Sequence, residues 1–140
     1  MAVASLGAEY YQALGCVQSE IGVVDPSNDL AESLSGCAET DYVNADAEQL
    51  AGARSDDNTW IASIEAVGDR TLLEFASASY GQIDGVTGAI HWAVVCWSLE
   101  VDETQREVGL PTDTECGAVA DALCPPKAKE FVVIADLPQG

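Results

Sequence analysis

His91 is the only histidine in this chain of 140 residues, and so the only side chain with an unperturbed pKa near neutrality. Any general acid–base chemistry has to start there. Read as part of a strand, His91 shares a face with Glu74 and Tyr80, and a His–Glu pair is one way to move a proton. The plainer reading is a histidine packed against a helix with one hydrogen bond satisfied. Serine nucleophiles lack a setting, since no G-x-S-x-G turn occurs and the one available base is His91 again. Cys96 lies five residues from His91, an odd number of strand steps, so the two would face opposite sides. Gly81, Gly85 and Gly88 are spaced for turns and no Lys follows them, which leaves no phosphate loop.

Oxygen ligands are plentiful. Asp25 to Asp29, Asn44 to Glu48 and Asp56 to Asn58 each offer at least three oxygen-bearing side chains to a hard cation such as Ca²⁺. None follows the EF-hand spacing. All three clusters also fall where helices need amino-terminal caps, and capping accounts for their position as well as their type. Asp25, Asp29, Asp56 and Asp57 are therefore the weak metal candidates of a chain expected to use no metal or cofactor.

The cysteines, Cys16, Cys37, Cys96, Cys116 and Cys124, are odd in number, so at least one is free or bonded to another chain. There is no C-x-x-C, and a single histidine does not complete a usual zinc set. Cys116 and Cys124, eight apart in an apparent helix, would stand about 12 Å apart, beyond the reach of a disulfide. The first expectation is that most cysteines are small buried hydrophobes. The other is one or two disulfides, involving Cys16 and Cys37.

Charge sets the outer limits. Twenty-four acidic residues against five basic ones give −19. Such a surface repels nucleic-acid backbones and anionic membranes, so neither is an expected partner. No apolar run reaches the ~20 residues of a membrane-spanning helix. The first basic residue is Arg54, which leaves no positive n-region for a secretory signal. The start at Met1 reads either as intracellular or as the mature part of a secreted protein. Excess acid also suits a protein adapted to high salt.

The elements that would position these residues are an α+β set in one acidic globular domain spanning 1–140. Leu6, Tyr10, Ala13, Leu14, Val17 and Ile21 form one stripe of a long amphipathic helix, stopped by Gly22 and Asp25-Pro26. Ser27 caps a short second helix through Leu30, Leu34 and Cys37. Asn44 or Asp46 opens a third around Leu50. Asp57 caps a fourth carrying Trp60, Ile61, Ile64 and Val67, which makes the amino-terminal half helical.

After Gly68 the apolar period drops to two, and an antiparallel β-hairpin is predicted at about 71–101, pairing Thr71–Tyr80 with Ala89–Val101. A two-residue turn at Asp84-Gly85 would set Phe75 opposite Val94 and Leu73 opposite Cys96. One face then carries Leu73, Phe75, Ile90, Trp92, Val94 and Cys96. The other carries Ala76, Ala78, Ala89, Ala93, Val95, Trp97 and Leu99. Both are apolar and need covering. Trp92 and Trp97, on opposite faces, are the candidate binding anchors. Thr112 with Glu115 reads as a capping box for one late helix at about 113–124, and Phe131 to Leu137 as a short final strand.

Amphipathic helix, antiparallel strands and a late cysteine pair is an order similar to that of pilin-like subunits. It is a likeness of order without a motif, and the first helix lacks their long apolar leader. The expectation for the whole chain is a non-enzymatic structural or partner-binding protein, possibly an assembly subunit, acting on a protein partner or as a homo-oligomer. Its alternatives are a secreted disulfide-containing binding domain and a small enzyme using His91.

Overall fold

The computed structural model describes residues 2–23, 30–40, 43, 48, 58–68, 70–82, 90–102, 107–115 and 129–137. A long helix α1 (Ala2–Val23) opens it and a one-turn helix α2 (Leu30–Ser33) follows. Three long strands come next: β1 (Asn58–Val67), β2 (Arg70–Gln82) and β3 (Ile90–Asp102). Short segments β4 (Glu107–Val108), β5 (Thr112–Asp113) and β6 (Lys129–Phe131) precede a 3-10 turn at Ile134–Asp136. β1 to β4 form an antiparallel meander in chain order. β5 also pairs antiparallel with β3, and β6 pairs parallel with it. The mixed α+β class is thus present.

α1 ends one residue beyond Gly22, and its stripe is the one periodicity indicates. Leu6, Tyr10, Ala13, Val17 and Ile21 are all buried, with Leu14 packed at the margin. They lie on Ile61 of β1, Leu73 and Phe75 of β2, and Ala93, Val95, Trp97, Leu99 and Val101 of β3. The opposite sheet face is buried too, through Trp60, Ala76, Ala78, Val94 and Cys96. That agrees with the two covers its apolar composition requires.

The expected helical amino-terminal half is corrected. The segment of Trp60, Ile61, Ile64 and Val67 is not a fourth helix but strand β1. The register shifts between Ile61, opposite Phe75, and Ser63, opposite Glu74, so Ala62 is an extra, bulged residue. Inward positions therefore run Thr59, Ile61, Ile64, and a bulge produces the three-residue step that resembles a helical stripe. Val67 closes the strand, and Gly68 turns into β2 with φ of +66°, a conformation that favours glycine. The second predicted helix is the short α2, and most of the third lies outside the described residues.

The hairpin of β2 and β3 stands, with a different register. Phe75 faces Trp97 and Leu73 faces Leu99, and the last pair is Gln82 with Ile90. The expected two-residue turn at Asp84-Gly85 lies, with the rest of residues 83–89, outside the described residues. The slip from the expected pairing is three residues, an odd number, so the face partners exchange. Leu73 and Phe75 share their face with Trp97 and Leu99 instead of with Val94 and Cys96.

The late helix does not begin where a capping box was read. Thr112 and Asp113 pair with Ser98 and Trp97, and Thr114 and Glu115 are not helical. The exposed edge of β3 has backbone groups to satisfy, and Thr112 to Thr114 meet that need. Residues 116–124 lie outside the described residues. The final strand sits earlier than expected, at Lys129–Phe131, and the chain then tightens into the 3-10 turn.

Cys16 of α1 is bonded to Cys37 just beyond α2, with Cα atoms 5.6 Å apart. Cys96 is disulfide-bonded as well. The expectation of mostly unpaired cysteines thus fails for these three, and the disulfide alternative holds for Cys16 and Cys37.

Candidate partner-binding cleft

The outer edge of β3 is a mosaic. β4 covers it at Val101 and Asp102, β5 at Trp97 and Ser98, and β6 from Trp92 to Val94. Thr114 N donates to Cys96 O at 3.0 Å, and Val132 N donates to Val94 O at 2.8 Å. These two bonds hold the end of β5 and the chain after β6 side by side on one strand. Between them opens a cleft of about 410 Å³, lined by Cys96, Asp113, Thr114, Glu115, Phe131, Val132 and Val133. Its volume falls in the range of small-molecule and side-chain pockets, ~300–1,000 Å³.

The two sides differ in chemistry. Asp113 Oδ1 accepts a hydrogen bond from Ile134 N at 2.8 Å, which ties β5 to the 3-10 turn and closes one end. Glu115 is exposed beside it. On the other side Phe131 is 55% and Val133 47% exposed, while Val132 between them points back toward the core. A partly open Phe and Val on alternate residues make an apolar shelf, and carboxylates stand across from it. Nothing in the sequence marks this shelf, because Phe131 to Ile134 reads as an ordinary buried strand.

The polar groups under α1 form a separate chain. Thr59 Oγ1 donates to Glu9 Oε1 at 3.0 Å, so the 2.7 Å contact between Thr59 and Ser77 takes its proton from Ser77 Oγ. Trp97 Nε1 donates to Ser77 Oγ at 3.1 Å. The direction is fixed: indole, serine, threonine, carboxylate, crossing β3, β2 and β1 to reach the helix. Ser79 Oγ, also buried, has no hydrogen-bond partner among the described residues. Beside the chain, Tyr10 packs edge-on against Trp97 with ring centres 5.1 Å apart. Burial, with lesser contributions from Tyr11 and Asp113, pushes the Tyr10 phenol up to about 12. It is a neutral core group.

The residues singled out from sequence are not brought together. Glu74 faces Ser98 across the sheet while His91 faces Gly81. Seven residues of β3 separate those positions, about 24 Å at ~3.4 Å per residue, so the backbone sets His91 and Glu74 far apart along the sheet. Glu74 Oε2 instead accepts from Ser63 Oγ at 3.0 Å. Trp97 is 0% exposed and stacked on Phe75 with ring centres 4.2 Å apart, because the observed register puts it beneath α1. Trp92 lies in β3 opposite Tyr80 and beside Lys129 of β6, and its side chain is outside the described residues. Asp25, Asp29, Asp56 and Asp57 are also outside them. Among the described residues no three His, Cys, Asp or Glu side chains cluster to hold a metal. No described helix is long and apolar enough to cross a membrane.

The class these features define is a helix laid on an antiparallel sheet with disulfides at two places. Comparison of the chain with family models, curated proteins and solved structures returns no match.

Proposed function

We propose that this is a non-enzymatic partner-binding protein, an assembly subunit, that engages its partner through the cleft at the β3 edge. The observation that carries this reading is the apolar shelf of Phe131 and Val133 held open beside Glu115. Exposed apolar side chains rimmed by polar ones are what an interface presents before its partner arrives. The disulfides add a second property. Bonded Cys16, Cys37 and Cys96 fit an oxidising compartment, where such bonds persist. A disulfide-containing binding domain and an assembly subunit are then one reading.

The test is site-specific photocrosslinking in the source cells. A photoreactive residue at Phe131 or Val133 is expected to give a discrete adduct of higher mass. The same residue at Val67, equally exposed at the far β1–β2 turn, is the control. An adduct pattern common to all three positions, or none at any, overturns the proposal.

A further inference from the structure

We infer that the cleft takes a cationic side chain and its apolar neighbour from an extended basic segment of a different protein; this rests on the partner-binding reading above. The cleft sets an apolar shelf against acid. A lysine or arginine has the matching form, an apolar stem ending in a charge. Its stem lies along Phe131 and Val133, and its head reaches Glu115 and the second oxygen of Asp113, whose first is committed to Ile134 N. The Phe131 ring adds a cation–π surface, best matched by a guanidinium. An extended segment alternates its side chains, as Phe131 and Val133 alternate here, so charge and apolar contact two residues apart both reach the cleft.

The charge of the whole chain selects among occupants. At −19, long-range steering favours a basic partner. A second copy, with five basic residues against twenty-four acidic ones, is a poor match for an acidic rim. Nucleic acid and anionic lipid are repelled by the same field.

The experiment uses the oxidised full chain and a fluorescein-labelled peptide of repeated Arg-Ser-Val-Ser, which sets arginine and valine two residues apart on one face of an extended segment, followed by fluorescence anisotropy. A glutamate–valine peptide is the negative probe. The arginine peptide is expected to bind, the glutamate peptide not, and binding is expected to weaken as salt shortens the screening length from ~10 Å at 0.1 M to ~3 Å at 1 M. Glu115→Arg and Phe131→Ser are each expected to weaken it by about tenfold or more, as loss of a central charged or aromatic contact does. Glu65→Arg makes the same change of net charge at an exposed site on β1, away from the cleft, and is expected to have little effect.

Equal losses from Glu65→Arg and Glu115→Arg would show attraction to overall charge alone and overturn the inference. So would a photocrosslinked adduct at Phe131 of twice the chain mass, which identifies a second copy as the occupant. Crosslinking to another protein without arginine-peptide binding refutes the basic partner and leaves the binding reading standing. Failure of both removes both. Near-ultraviolet circular dichroism of the buried Trp97 checks that each variant is folded.

Discussion

Replacing Thr59 by Val tests whether the hydrogen-bond chain beneath α1 holds the helix to the sheet. Valine keeps the shape and the β-branched preference for strand, so no cavity opens and the change isolates the hydroxyl. Two bonds disappear: the one donated to Glu9 at 3.0 Å and the one accepted from Ser77 at 2.7 Å. A bond to a charged acceptor contributes about 1.5 kcal/mol at the lower end of its range, and a buried hydroxyl left without an acceptor costs about 1–3 kcal/mol. The expected destabilisation is therefore about 3 kcal/mol. Urea unfolding with the disulfides intact measures it, read from the midpoint with the slope unchanged.

Ser77→Ala supplies the second arm, because it strands the Trp97 indole N–H instead. In the double variant the Ser77 hydroxyl no longer exists to be stranded. The combined cost should fall short of the sum of the two single costs by about 1 kcal/mol or more. A Thr59→Val cost below about 0.5 kcal/mol, or additivity within about 0.5 kcal/mol, would refute the directional chain.

Trp97→Ala is expected to cost about 3–5 kcal/mol of folding stability by chemical denaturation, as for other large core truncations. Replacing Cys16 and Cys37 together by Ser should cost about 3 kcal/mol, the loop-closure value for a separation of 21 residues, visible as an earlier urea midpoint. Because Cys16 and Cys37 bond to each other and Cys96 is also bonded, five cysteines leave one thiol per oxidised chain. Thiol titration in denaturant should read one before reduction and five after. The Tyr10 phenol, raised to about 12, stays protonated in the fold while the unfolded side chain ionises near 10. The folded state then holds more protons, so stability is full below pH 10 and falls as pH climbs from 10 toward 12. Tyr10→Phe should flatten that decline in urea titrations across the same range.

Local pattern determined the long helix, its buried stripe and its stop near Gly22, because one helical face repeats from Leu6 to Ile21, about four turns, without interruption. It also determined that residues 71–101 form an antiparallel hairpin with two apolar faces. Tertiary structure decided the rest. β1 passed for a helix because the bulge at Ala62 restores a spacing of three, and a bulge exists only relative to the strand it pairs with. The register of β2 with β3 seats Trp97 and Leu99 beside Phe75 and Leu73 under α1, a pairing that the expected turn position did not give. Thr112 and Asp113 are good capping residues by type, yet the unpaired edge of β3 claimed them as strand. The cleft follows from that last choice. β5 and β6 approach one strand from distant parts of the chain, and side chains that look buried in sequence stay open where the two short segments fail to cover each other. Periodicity records which face of an element is apolar, but which neighbour covers that face is fixed only when the elements pack.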